Sequence, residues 1–215
     1  MENASLLHAP LTPGLRRPCA ARLLEALPYA RRLHLERTDP LVRASSLAGL
    51  ALALVAAARA RGAAFEGIAG LRLPEGEKPR FVRGPHFSVS HTPTRVACIA
   101  CDAAEVGIDI ETAPAGAASA VVRKLQRWTA TEATLKAAGA GLRRVRDVRV
   151  ELASLEAGFE GRCYVLRELA LAPDTLGHVA SLQPVRPDIE CVALDGSCFS
   201  ASLERVLGLS TQDAQ

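Results

Sequence analysis

Between Thr38 and Gly62 the chain carries a helix that cannot lie on a surface. Thr38-Asp39-Pro40 is a helix start: a capping side chain, then a proline in the first turn, where its missing N–H is not needed. Leu41, Leu47, Leu50, Leu54 and Val55 follow at helical spacing, so the helix is predicted to run to about Arg61 and stop at Gly62. Alanine and leucine occupy nearly every side of it, which demands packing on several sides. Its longest apolar run, residues 47–58, is too short to span a bilayer and reads as core helix.

The elements that could cover this helix are strands. Residues 68–73 read as a short strand, and Phe87-Ser88-Val89-Ser90 alternates as another with His91 at its end. Thr92-Pro93-Thr94 is a turn, residues 95–102 a buried strand, and 106–111 a further strand. Together they predict an antiparallel meander on the first helix. A second helix is predicted over 119–138, ended by Gly139-Ala140-Gly141. Strands are expected at 146–152, at 159–171 (one or two), at 178–182 and at 190–194. Upstream, residues 1–20 hold three prolines and read as a loose lead-in, 20–28 as a short helix, and 31–37 as a strand. The tail from Ser200 is expected to fray or to add a short helix.

Helix then strands, twice over, predicts an α+β fold of two similar α/β subdomains. Each is a helix on a small, mainly antiparallel sheet. The lobes are expected at 1–105 and 106–215, pseudo-twofold related and acting as one unit. Seams between subdomains are common ligand sites.

Bulk properties exclude some functions. A net charge of +3 in 215 residues is too small to imply nucleic acid, and 4% aromatics gives no stacking platform for single strands. Cys98 and Cys101 form a C-x-x-C on opposite faces of a strand, with no second close Cys/His pair to complete a zinc site. Reduced, mostly buried thiols are expected, which suits the cytoplasm. Residues 1–10 lack the apolar core of a secretion signal, and no membrane association is expected.

The chemistry gathers at Val106-Gly107-Ile108-Asp109-Ile110-Glu111. As a strand it sends Val106, Ile108 and Ile110 to one face, and Asp109 and Glu111 to the other, roughly 7 Å apart. Two carboxylates that close need water, a cation or a raised pKa. Solvated acids on a half-exposed strand are one reading, a cation site the other. Glu132 and Lys136 are an i,i+4 pair on the second helix, either a surface ion pair or, with a buried Trp128 on the same stripe, an inward one. Asp109, Glu111 and Glu132 together would offer the hard oxygens that Mg²⁺ takes. Lys78, His91, Arg43 and Lys136 could hold phosphate, and no glycine-rich phosphate loop is present.

Four pieces in this order resemble the 4′-phosphopantetheinyl transferases of the monomeric, two-lobed Sfp-like type. They are Gly76-Glu77-Lys78-Pro79, Phe87-Ser88-Val89-Ser90-His91, the acidic strand, and Trp128-Thr129-Ala130-Thr131-Glu132-Ala133 with Lys136 and Gly139-Ala140-Gly141-Leu142. The resemblance runs from about Arg43 to Val150 and more faintly to Leu182. It implies that coenzyme A binds between two lobes and that Asp109, Glu111 and Glu132 hold Mg²⁺ on its pyrophosphate. It assigns His91 and Lys78 to coenzyme A phosphates, with Ser90 in the same binding set. Arg43, two positions from the family register, is assigned to the adenosine phosphate end. Asp109, Glu132 and Lys136 would be catalytic, with Lys136 steadying the reacting phosphate or protonating the leaving group. The implied reaction moves phosphopantetheine onto a serine of an apo acyl or peptidyl carrier protein, as in fatty acid, polyketide or peptide synthesis. Two departures stand out: Thr131 replaces a usual lysine, and the link between Glu111 and Trp128 is short. They give the alternative, a catalytically weakened relative that binds coenzyme A or a carrier protein as a scaffold.

Overall fold

The computed structural model describes residues 2–74 and 78–208. The chain begins with β1 (Glu2–Pro10), α1 (Arg17–Glu25), α2 (Tyr29–Arg37) and α3 (Pro40–Arg61). A short pair, β2 (Leu71–Arg72) and β3 (Arg80–Phe81), precedes β4 (His86–His91), β5 (Arg95–Cys101) and β6 (Val106–Thr112). Then come α4 (Ser119–Ala138), β7 (Arg149–Glu151), β8 (Glu156–Phe159), β9 (Arg162–Ala172), β10 (Thr175–Ser181), β11 (Val185–Cys191) and α5 (Ser197–Val206).

The α3 helix starts where its cap predicts. Asp39 Oδ1 accepts from the Leu41 N–H at 2.8 Å, and the chain leaves the helix at Gly62 with φ +65°. By length and composition alone it is long and apolar enough to cross a bilayer, which the apolar run at 47–58 did not suggest. In the fold, however, Leu47, Leu52, Leu54 and Val55 are buried in a core shared with the first sheet, α1 and α5. That sheet runs β11-β1-β5-β4, with β1 and β11 parallel and the other pairs antiparallel. A second sheet runs β6-β10-β9-β8-β7, antiparallel throughout, and α4 covers one face of it. Leu6, Ile99 and Cys101 of the first sheet meet Val106, Ile108, Ile110 and Val179 of the second. The protein is thus a mixed α+β fold in which two facing sheets are flanked by helices.

Several expectations need correction. Residues 2–10 are a central strand. Leu6 faces the other sheet and Leu7 faces α3, so burial on both faces erased the alternation that marks a strand. Residues 31–37 belong to the helix α2, where Leu35 alone is buried. The meander stops at β5, because β6 crosses to the second sheet. The lobe boundary at 105/106 marks that crossing. Residues 185–206 nevertheless return to the first half, as β11 beside β1 and α5 against α3. Residues 142–147 form a 3-10 turn, so the strand expected from 146 begins at Arg149. Cys98 and Cys101 lie in cores on opposite faces of β5, as their spacing predicts. Of the other four thiols Cys19 is buried as expected, but Cys163, Cys191 and Cys198 are exposed.

Candidate active site

The site forms where β6 becomes an edge. β10 pairs with one side of β6, and β4 of the first sheet approaches the other. An edge strand presents unpaired N–H and C=O groups that need partners. Side chains supply them: Ser88 Oγ accepts from the Ile108 N–H at 3.1 Å, and Ser90 Oγ from the Ile110 N–H at 3.2 Å. Lys78 Nζ donates to Val106 O at 2.9 Å and, across the gap, to Lys136 O at the end of α4 at 2.8 Å.

Alternation then turns Asp109 and Glu111 toward α4. Gly107 lets the helix come this close: a Cβ there would sit inside the surface of Ala133 O and Ala137 N, and 3.0 Å from Ala133 C. The short approach brings Glu132 and Lys136 over the strand. Lys136 Nζ donates to Asp109 Oδ1 at 2.6 Å and stands 3.7 Å from Glu132 Oε2. Ser90 Oγ donates to the same Asp109 oxygen at 2.8 Å. Asp109 is 3% exposed, and its other oxygen, Oδ2, is buried with no hydrogen-bond partner. Burial and then repulsion from Asp109 push both Glu111 and Glu132 above the usual carboxylate range. Lys136 opposes this for both, and the Trp128 indole does so for Glu111.

Trp128 corrects the sequence reading. It is 39% exposed rather than buried, with its indole beside Glu111. Thr131 turns away from the acids and donates to Arg127 O at 2.8 Å. Behind the acids, His178 lies opposite Asp109 in the sheet register, its Nδ1 2.8 Å from Thr129 Oγ1. Burial lowers His178 to about 4, so it is neutral.

Three clefts join along β4. One, of about 460 Å³, is lined by Lys78, Arg80, His86, Phe87 and Gly139. The next, of about 360 Å³, shares Lys78 and Phe87 and adds Ser88, Lys136 and Gly141. The third, of about 200 Å³, shares Phe87 and is lined by Arg31, Ser45, Ser46 and His91. Burial lowers the Lys78 ammonium to about 8. The sequence reading missed Arg31, because it took α2 for a strand. Arg43, in the first turn of α3, is not among these lining residues. Gly76 and Glu77 of the quoted motif fall outside the described residues.

Lys136 therefore joins Asp109 and Glu132, with Glu111 near enough to feel the Asp109 charge. Lys78 and His91 line the clefts along β4, while Ser90 turns inward to Asp109. The donor set, three oxygen acids and an orphaned buried oxygen, suits a hard divalent cation. Yet among the described residues no three acidic, histidine or cysteine side chains are gathered closely enough to hold an ion. An ammonium, Lys136, bridges Asp109 and Glu132 instead. Compared with known proteins, the chain matches no family model and no curated protein.

Proposed function

We propose that the protein transfers the 4′-phosphopantetheine group of coenzyme A to a serine of an apo carrier protein, breaking the pyrophosphate and releasing adenosine 3′,5′-bisphosphate, with Mg²⁺ as cofactor and with the family's two-lobed fold. One observation carries this reading. Asp109 is buried with an unpartnered oxygen and is bonded to Lys136, which with Lys78 lines the neighbouring cleft. A carboxylate so placed needs a cation, and the cleft beside it needs an anion.

In this reading Asp109, Glu111 and Glu132 hold Mg²⁺, which when bound would neutralise charge on the pyrophosphate. Lys136 binds the phosphoryl group that moves. Lys78 and His91 take the other phosphates. Arg31 replaces Arg43 at the adenosine end, because it lines the same cleft as His91. Ser90 fixes Asp109 through its hydroxyl. A serine hydroxyl is a poor nucleophile near neutral pH, so in this reading Glu132 or a water held by Mg²⁺ would take its proton. A groove of about 530 Å³ along α4, lined by Val121, Leu125, Trp128 and Val148 with Lys124 and Arg127, would seat the carrier.

A second reading, a non-catalytic binder of coenzyme A or of a carrier, draws on the bridging Lys136 and the absence of a gathered ligand set among the described residues. One experiment separates the two. The protein is mixed with coenzyme A, Mg²⁺ and a panel of apo carriers, and the carriers are weighed by mass spectrometry. Transfer adds one phosphopantetheine to a carrier, and Asp109→Ala or Glu132→Ala abolishes the gain. Coenzyme A binding with no gain on any carrier would favour the binder.

A further inference from the structure

Lys136 Nζ sits 2.6 Å from Asp109 Oδ1 and 3.7 Å from Glu132 Oε2, in the position a shared metal ion would claim. An ammonium and a divalent cation within a few ångströms of the same oxygens repel strongly, so both cannot stay. Lys136 is also able to leave. It is in the last turn of α4, its side chain is 30% exposed, and it lines the cleft that holds Lys78. A lysine's four-carbon stem can swing where an arginine fork is committed to one plane.

We propose that Lys136 is a built-in counter-ion for the acid cluster, which a divalent cation displaces, and that the displaced ammonium turns into the cleft beside Lys78 to meet the anionic ligand. The orphaned Asp109 Oδ2 is the independent sign that the cluster is short of a partner even with Lys136 in place. Lys78 makes the displaced position depend on the ligand. Its ammonium is fixed on Lys136 O and Val106 O, so a second ammonium arriving nearby is repelled unless an anion bridges the two. Cation and anionic ligand thus each strengthen the binding of the other, and the coupling is reciprocal. Without the cation, Lys136 holds α4 on β6 and keeps the buried Asp109 paired.

This inference rests on the reading of the three acids as a Mg²⁺ site, and its test separates the two. Mn²⁺ is titrated into wild type, Lys136→Gln and Lys136→Arg, with free Mn²⁺ followed by electron paramagnetic resonance. Removing the competitor is expected to tighten Mn²⁺ binding on the order of tenfold, while the arginine variant stays near wild type. In wild type alone, amine labelling of Lys136 read by mass spectrometry is expected to rise when Mg²⁺ is added. If wild type binds Mn²⁺ but Lys136→Gln binds it no tighter, or wild type binds Mn²⁺ but Lys136 labelling does not respond to Mg²⁺, the displacement is wrong and the acid site stands. If neither wild type nor Lys136→Gln binds Mn²⁺, both the site and the displacement fall.

Discussion

Gly107→Ala tests how the site is assembled. A Cβ at this position would overlap the backbone of α4 at Ala133 and Ala137. Ordinary van der Waals contact begins near 3.4 Å, so the helix must retreat by more than about 1 Å. The obstacle is backbone, not the tip of a side chain, so no rotamer change relieves it. Overpacking typically costs about 1–3 kcal/mol, and a helix forced off its sheet belongs at the upper end. The retreat also carries Glu132 and Lys136 away from Asp109, and a displacement of this size at reacting groups can lower activity by about a hundredfold. Trp128 is the chain's only tryptophan and lies on α4, so its fluorescence reports unfolding in urea. Gly158→Ala is the control, because its Cβ would meet nothing within 4 Å. A Gly107→Ala protein as stable as wild type, or no less stable than Gly158→Ala, would refute the argument.

Three further outcomes follow from the same geometry. Ser90→Ala removes a donor to Asp109 and leaves the Ile110 N–H unpartnered, so urea unfolding should show a loss of about 1–3 kcal/mol, with Ser90→Thr closer to wild type. His178 is held neutral by burial despite Glu168 3.9 Å from its Nε2 and Asp109 opposite on β6. Its folded pKa lies below the unfolded value, so its contribution is complete above pH 6.5 and is lost toward about 4, by up to about 3 kcal/mol. In His178→Asn that part of the acid sensitivity should vanish, and an unchanged difference between the two proteins across the window would contradict it. Lys78 has a pKa near 8, so affinity for coenzyme A should fall as pH rises through that value and Lys78→Met should flatten the profile, which calorimetry at pH 7 and 9 would check.

The sequence made the two main helices legible because their punctuation is local. Asp39-Pro40 opens α3, and Gly139 closes α4 in the left-handed conformation at φ +68°. The acidic strand was equally legible, since β6 sends apolar side chains to the other sheet and Gly107, Asp109 and Glu111 to α4, so the alternation survived although both faces are covered. β1 was not, because it puts apolar side chains into a core on each face. The return of β11 to pair with β1 was also hidden, since a parallel pairing across nearly the whole chain leaves no local trace. In the site, the Glu132–Lys136 pair could be read from its spacing. That the ammonium would also reach Asp109 depends on how closely Gly107 lets α4 approach. The mistaken strand at 31–37 hid Arg31, whose helix turns it to the cleft end that holds His91.

The most direct test of the whole account is a crystal grown with coenzyme A and Mn²⁺ in place of Mg²⁺, with the metal located by anomalous scattering. One peak bonded to Asp109, Glu111 and Glu132, with the pyrophosphate of coenzyme A on its open side and the Lys136 ammonium moved toward the ligand, is the expected result. Coenzyme A bound elsewhere, or no peak at these carboxylates while Lys136 still bridges Asp109 and Glu132, would contradict it.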